Sequence, residues 1–293
     1  MTPGSRQQSW LGALILWWLF SSAGAAEIML GSADVRALDY APQRDELVLG
    51  LLGQLWLLPG QGGAAAPLTP AGLQLQSPRW SPDGSRIVAS GGWESSDQHL
   101  WMVDAANGTV MQLTNGAWQD SAPVWRPDGQ AIVFVSDRGG SQDLWQLTLA
   151  SSATVSLVRS TAALGQPFFA GDQLWFVADA DGQYALQTRE SNGRFQTPYL
   201  SETPIIAPSG QRNGLAVTWY APLVRASFQL NVLLTRPVAV VKRIGEPRSG
   251  TPPSPAWRDR QRYYSITDGE LTLHELAGER RQPVPMTAWL SVP

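Results

Sequence analysis

The fold of this chain is decided by two pentapeptides, WSPDG at Trp80–Gly84 and WRPDG at Trp125–Gly129. Each is followed by an apolar run, at Ile87–Ser90 and Ile132–Ser136, and further on by a Leu-Trp pair. Proline presets the backbone for a tight turn, aspartate suits the next position, and glycine tolerates the positive φ that follows. Each pentapeptide is therefore predicted to close a hairpin, with the tryptophan at the end of one strand.

The two tryptophans lie 45 positions apart, a spacing typical of the repeated sheets of a β-propeller. Weaker copies of the pattern extend in both directions and define six units, anchored near positions 40, 80, 125, 169, 207 and 257. We therefore expect an all-β, six-bladed β-propeller with four-stranded antiparallel blades in one domain, 27–293, and seven blades is the alternative. Each anchoring tryptophan is predicted to pack between neighbouring blades. To close the ring, either the strand at 27–30 or the segment 286–292 is expected to complete a blade begun by the other end.

The first 26 residues have the features of an export signal. Arg6 precedes an apolar run at 10–20, and small residues at 21–26 come before the first acid, Glu27. A basic, then apolar, then small-residue order is typical of a cleaved secretory signal peptide. The run is shorter than the roughly 20 residues that a membrane span needs. We predict a periplasmic mature protein with no stable membrane insertion, and an uncleaved anchor is the alternative.

Composition narrows the classes of function. The chain has no cysteine, which excludes disulfides, thiol catalysis and cysteine-ligated zinc. Its net charge of −3, without a basic stripe, argues against binding to nucleic acid.

The sequence also lacks the usual signs of catalysis. It contains no Gly-x-Ser-x-Gly elbow, and its two histidines, His99 and His274, are interpreted as structural residues. We therefore expect no catalytic residues and no cofactor. A calcium ion in the axial channel remains a minor hypothesis, because calcium takes oxygen ligands. Its candidate ligands are Glu94, Asp137, Asp179 and Asp181.

The repeats resemble those of the TolB-like periplasmic β-propeller family. The similarity is carried by both pentapeptides with their following strands, and by Val135–Gly140 with Asp143–Trp145 downstream. It is strong over about 77–150 and weaker over most of the rest. The resemblance implies a non-enzymatic propeller that docks protein partners. Members of the family carry an α/β domain ahead of the propeller, whereas here only about 27–34 separates the signal from the first unit.

These observations predict an exported, non-enzymatic scaffold for protein–protein interaction at the bacterial cell envelope. The expected partner is an envelope protein, and the chain is expected to be monomeric. Because similar repeats occur in propellers of peptidases and of sensory proteins, two alternatives stay open. One is a metal-dependent propeller hydrolase or lactonase, and the other is the periplasmic sensor partner of a membrane-bound regulator.

The docking residues are predicted on the face opposite the Pro-Asp-Gly turns. Tryptophan and arginine are the residue types most enriched in binding hot spots, and the loops on that face contain both. The predicted partner-binding residues are Trp93, Glu94, Asp97, His99, Trp118, Asp120, Asp137 and Arg138. Packing of Trp93 and Trp118 over the edge of the core is the alternative for these two rings.

Export is testable directly on the protein from the envelope fraction. N-terminal sequencing should begin at about Ala26 or Glu27, since the small residues before them match a signal-peptidase site. Recovery of the chain with Met1 in a membrane pellet would contradict cleavage.

Overall fold

A computed structural model describes residues 26–30, 35–94, 96, 98–190, 192–212, 214, 216–222, 227–235, 238–249, 255–267, 270–275 and 280–292. The predicted signal peptide before Ala26 lies outside these ranges. Every regular element within them is a β-strand. The described strands form six four-stranded sheets, in which neighbouring strands pair antiparallel, and one three-stranded sheet. The predicted propeller architecture with four-stranded antiparallel blades is confirmed.

We number the four-stranded sheets 1 to 6 in chain order. Within each, the strands follow one another from the centre of the molecule outward. Sheet 1 contains β2 (Val35–Ala41), β3 (Glu46–Leu51), β4 (Gln54–Pro59) and β6 (Ala66–Pro67). Sheet 2 contains β7 (Gln74–Trp80), β8 (Arg86–Gly92), β9 (His99–Asp104) and β10 (Val110–Gln112). Sheet 3 contains β11 (Asp120–Trp125), β12 (Ala131–Ser136), β13 (Asp143–Thr148) and β14 (Ala153–Val158).

Sheets 4 to 6 have the same construction. Sheet 4 contains β15 (Ala163–Ala170), β16 (Gln173–Ala180), β17 (Gln183–Arg189) and β18 (Phe195–Ser201). Sheet 5 contains β19 (Ile206–Gly210), β20 (Ala216–Pro222), β21 (Ser227–Thr235) and β22 (Val238–Ser249). Sheet 6 contains β23 (Ala256–Trp257), β24 (Arg262–Thr267), β25 (Glu270–Glu275) and β26 (Arg281–Pro283). The first strands of sheets 1 to 5 contact one another in succession, and that of sheet 6 contacts that of sheet 1, so these strands lie towards the centre of the molecule.

The Pro-Asp-Gly segments form the predicted turns. In sheet 2 the Gly84 amide donates to the Ser81 carbonyl at 2.9 Å, with Gly84 at φ 73°. The Asp83 carboxylate accepts hydrogen bonds from the Ser81 hydroxyl and from the backbone and hydroxyl of Ser85. These bonds favour the charged carboxylate, so they lower the pKa of Asp83 to about 2. The turn is held by its own side chains.

The same turn shows that the fifth unit is anchored three residues later than the sequence suggested. The Gly214 amide donates to the Gln211 carbonyl at 2.9 Å, as in the turn of sheet 2, and β19 ends at Gly210. Gly210, rather than a residue near 207, therefore occupies the position of Trp80. Ala207 and Pro208 both lie inside this strand, where the proline follows a residue of positive φ.

A β-bulge interrupts four of the innermost strands at equivalent positions. The register shifts in β7, β11, β15 and β19, and in each a non-glycine residue before a proline has φ near 50°. These residues are Ser77, Ala122, Gln166 and Ala207. A bulge leaves one residue unpaired, so the following proline costs no ladder hydrogen bond.

The anchoring tryptophans are buried between sheets, as predicted. Trp80 is 3% exposed and packs with residues of sheets 1 and 2, among them Val48 and Ile87. Trp125 is 4% exposed and packs in the same way between sheets 2 and 3. Its indole Nε1 also donates to the Arg79 carbonyl at 3.0 Å. The two rings have equivalent roles.

An arginine from the preceding sheet covers each of three anchor rings. The guanidinium of Arg44 lies 5.5 Å from the ring centroid of Trp80, and that of Arg86 lies 5.3 Å from the centroid of Trp125. Arg258 of sheet 6 lies 5.9 Å from the ring of Tyr40 in sheet 1. The same kind of cation–π contact therefore links three pairs of neighbouring sheets.

Sheets 6 and 1 are joined by apolar packing and by a polar cluster. The Tyr264 hydroxyl donates to the Gly60 carbonyl at 2.9 Å, and Arg258 forms an ion pair with Asp45 at 3.3 Å. Burial, and the hydrogen bond that its hydroxyl donates to Asp45, raise the pKa of Tyr40 well above its usual range. The same bond lowers the pKa of the Asp45 carboxyl.

The chain termini do not complete a four-stranded sheet, so the expected mode of closure is wrong. Strand β1 (Ala26–Leu30) pairs antiparallel with β27 (Met286–Val292), which pairs in parallel with the short β5 (Gly63–Ala64) of the first unit. The Ala65 amide donates to the Thr287 carbonyl at 2.7 Å. Since each four-stranded sheet takes its strands from one stretch of chain, the termini are free to form a separate sheet.

Truncation of an anchor ring tests this packing. We expect Trp125→Ala to reduce the free energy of unfolding by about 3–5 kcal/mol, as large aromatic truncations in cores do. Urea denaturation followed by circular dichroism measures the change. Met111→Ala is the control, because Met111 is 57% exposed on an outer strand. Equal stability of the two variants would contradict the buried position of Trp125.

Candidate docking surface

The molecule has two faces of different construction. The turn face carries the Pro-Asp-Gly turns after the innermost strands. The loop face lies at the opposite ends of the strands and carries the described residues that follow β8, β10 and β12, among them 93–94, 113–119 and 137–142. Strand order alone sets this division, because each innermost strand runs towards the turn face and the next strand returns.

Trp93 is an exposed ring that packs on a buried one. It directly follows β8 and is 56% exposed. Its ring meets Trp101 edge to face, with centroids 6.3 Å apart at 88°. Trp101 is buried, and its Nε1 donates to the Gly91 carbonyl at 2.9 Å. Trp93 therefore presents apolar surface to solvent from a rigid base.

A cavity of about 330 Å³ lies on the loop face between sheets 1 and 2. Glu94 is exposed at its wall, with Arg36 and Gln98 also lining it. Of the other predicted residues here, Asp97 lies outside the described residues. His99 is half-buried, and its Nδ1 is buried without a hydrogen-bond partner among the described residues.

Asp120 and Arg138 form a buried ion pair. Both carboxylate oxygens of Asp120, which is fully buried, lie 2.6 Å from one terminal nitrogen of Arg138. The Arg138 Nε donates to the Ser136 hydroxyl at 2.9 Å. The guanidinium also lies 5.0 Å from the ring of Trp118 and 5.3 Å from that of Trp145. Asp120 is enclosed and Arg138 nearly so, which leaves little of either charge for a partner.

The other two predicted residues remain at the surface. Trp118 covers Arg138 on one side and is 36% exposed. Asp137 is exposed, and its Oδ1 accepts a hydrogen bond from the Gln119 amide at 2.8 Å. The seven predicted residues that the structure describes thus divide into an exposed set and a supporting set. The exposed set consists of Trp93, Glu94, Trp118 and Asp137.

Leu52 extends the apolar surface and was missed by the sequence reasoning. It lies in the turn between β3 and β4 on the loop face, is 56% exposed and has φ 48°. The preceding run of apolar residues reads as one buried strand. The following Gly53 was the available signal of a turn at this point.

The acids proposed as channel calcium ligands are not assembled into one site. Asp137 is engaged with the Gln119 amide, and Asp179 accepts a hydrogen bond from the Gly182 amide at 3.1 Å in its own turn. Among the described residues, no group of three or more histidines and acids is placed to hold a metal ion.

A family model described as the TolB beta propeller domain matches residues 65–220, more than half of the chain. The chain belongs to the TolB beta-propeller domain family. No protein with a curated description matches it in sequence. In the described part of the chain, no helix is long and apolar enough to span a membrane.

Solved structures similar to this TolB-family chain share its fold. TolB from Acinetobacter baumannii is 15% identical with a TM-score of 0.65, covering 87% of this chain and 66% of that one. This chain therefore spans slightly less than two thirds of the length of that TolB. A putative TolB from Agrobacterium tumefaciens is 16% identical with a TM-score of 0.66, over 76% and 82%. A puromycin hydrolase is 17% identical with a TM-score of 0.59, over 85% and 44%. At these identities the similarity establishes the fold alone.

The buried ion pair makes a quantitative prediction. We expect Asp120→Ala to cost about 3–5 kcal/mol in unfolding free energy, because removing one partner leaves the Arg138 charge largely buried and unpaired. Arg126→Ala breaks the ion pair with Asp128, whose side chains are about 40% exposed, and leaves the Asp128 carboxylate in its turn, so it should cost under about 1 kcal/mol. Urea titrations of both variants measure the difference. Equal costs would contradict a supporting role for Asp120.

Proposed function

We propose that this protein is an exported, non-enzymatic scaffold whose propeller docks an envelope protein on the loop face. The observation that carries the proposal is the group of exposed apolar residues there: Leu52, Trp93 and Trp118. Soluble proteins seldom expose large apolar side chains in one region without a binding role. Trp93 is well suited to the centre of an interface, since rigid aromatic side chains are enriched among hot spots.

Rigidity supports the proposal. Trp93 rests on the buried ring of Trp101, and Trp118 rests on the guanidinium of Arg138, which Asp120 holds in place. A surface that is ordered before binding loses less conformational entropy when a partner docks. Asp137 and Glu94 add negative charge to the rim, where it steers and selects a partner with complementary charge.

The proposal includes a closed ring of six blades in the periplasm. Contacts between first strands link sheet 6 to sheet 1, and link sheets 1 to 5 in succession. The remaining junction, between sheets 5 and 6, contains a hydrogen bond from the Gln211 side chain to the Arg260 carbonyl at 3.0 Å. Export is supported by the signal-like first 26 residues and by the family.

The competing proposal is a hydrolase or lyase. It is supported by structural neighbours that include the puromycin hydrolase and an oligogalacturonate lyase in complex with manganese, 12% identical with a TM-score of 0.54. Metal analysis of the purified protein, followed by assays on lactones and peptides, distinguishes the two. A stoichiometric metal with turnover would refute the scaffold proposal.

Capture from the envelope fraction tests the docking surface. The bait carrying Trp93→Ala or Trp118→Ala should lose the captured partner, with a melting temperature within a few degrees of the parent. Met111→Ala is the matched control, because Met111 is 57% exposed in the same sheet as Trp93, which is 56% exposed. Unchanged capture by both tryptophan variants would refute docking on the loop face. A membrane-bound regulator as the captured protein would favour the sensor alternative.

A further inference from the structure

A second cavity opens at the mouth of the central channel on the turn face. Its volume is about 300 Å³, at the lower end of the range for small-molecule sites. The ends of the innermost strands of sheets 1 to 5 line it, together with Pro82 and Pro127 of the turns. None of the partner-binding residues predicted from the sequence is among them, so this site is separate from the loop face.

Two arginines at the cavity have no acidic partner among the ion pairs of the described residues. The Arg79 side chain donates to the Pro78 carbonyl at 3.0 Å, and Arg212 donates to the Tyr40 carbonyl at 3.3 Å. Each guanidinium has five N–H donors, so both retain donors for a ligand. Planar guanidinium groups are well matched to carboxylates.

One acid, Asp39, also lines the cavity. Its Oδ2 accepts a hydrogen bond from the Trp80 amide at 2.8 Å, which fixes the side chain at the junction of sheets 1 and 2. With two arginines and one aspartate, the lining carries a net charge of +1. This charge attracts a single anionic group, and Asp39 disfavours a second one on the same ligand.

The remaining walls are apolar and rigid. The buried rings of Trp80, Trp125 and Phe168 fix these walls in place. The more accessible side chains of Phe169, Pro82 and Pro127 offer a preformed surface to an apolar ligand body. A few polar groups among apolar walls are typical of a specific small-molecule site.

We propose that the channel mouth binds a small monocarboxylic acid with an apolar body. Arg79 and Arg212 bind its carboxylate, the aromatic and prolyl walls contact its body, and Asp39 excludes ligands with a second anionic group. The site needs no partner on the loop face, so failure of the docking proposal leaves it standing.

Calorimetry with N-acetylphenylalanine tests the site on the intact protein. We expect binding at millimolar concentration or below, and binding at least tenfold weaker for the uncharged N-acetylphenylalaninamide. N-acetylaspartate, with two carboxylates, should also bind at least tenfold more weakly. No detectable binding of N-acetylphenylalanine, or equal binding of its amide, would overturn the proposal.

Removing a positive charge and removing a negative charge should change binding in opposite directions, which distinguishes a loss of binding contacts from a loss of structure. Arg79→Gln and Arg212→Gln should each weaken binding of N-acetylphenylalanine at least tenfold, whereas Asp39→Asn should strengthen it while keeping an oxygen for the Trp80 amide. Arg281→Gln, on the outermost strand of sheet 6, should leave it unchanged. Weakening by Asp39→Asn in a variant with the parent melting temperature would overturn the charge assignment.

Calorimetry with a short peptide distinguishes a site for a small acid from a site for the C-terminus of a polypeptide, because both ligands carry a carboxylate. Acetyl-Ala-Ala-phenylalanine should bind no more tightly than N-acetylphenylalanine, because the cavity is small. Binding of the peptide tenfold tighter than that of the single residue would overturn the assignment to a small acid.

Discussion

The structure depends on burial of a large aromatic ring where each of the first three innermost strands ends. Tyr40, Trp80 and Trp125 lie at this position, where a flat ring fills the wedge between two sheets that diverge from the centre. An arginine of the preceding sheet covers each ring, so one contact is repeated from sheet to sheet. Backbone hydrogen bonds also cross between sheets, such as the one from the Leu164 amide to the Gln142 carbonyl at 2.9 Å, and the ring contacts add apolar packing between sheets.

The bulges before these positions determine what the centre of the molecule displays. A residue with positive φ, such as Ser77 or Ala122, leaves the strand locally unpaired and changes its alternation of side chains. The repetition of this conformation in four sheets shows that it belongs to the fold rather than to one loop. In sheet 2 this bulge lies just before Arg79, which is the residue next to the anchor Trp80. Arg79 lines the channel mouth.

The two faces use charge differently. On the loop face the ion pair between Asp120 and Arg138 is buried and supports Trp118, so it leaves an apolar ring at the surface. On the turn face Arg79 and Arg212 have no acidic partner among the described residues and border a cavity. An apolar rigid surface suits a protein partner, whereas unpaired guanidinium groups around a small cavity suit an anion.

Sequence by itself determined the architecture, because a proline, an aspartate and a glycine after a tryptophan specify a turn through local backbone preferences, and their recurrence specifies a repeat. It also placed Trp93 and Trp118 on the correct face, since strand order assigns each loop to one side. Exposure was decided only by the tertiary structure. Asp120 and Trp93 both read as loop residues, yet the first is enclosed by Arg138 and the second faces solvent, because burial depends on neighbours distant in sequence. The channel mouth was likewise undetectable, since its walls come from five separate stretches of chain that only the packing of sheets 1 to 5 brings together.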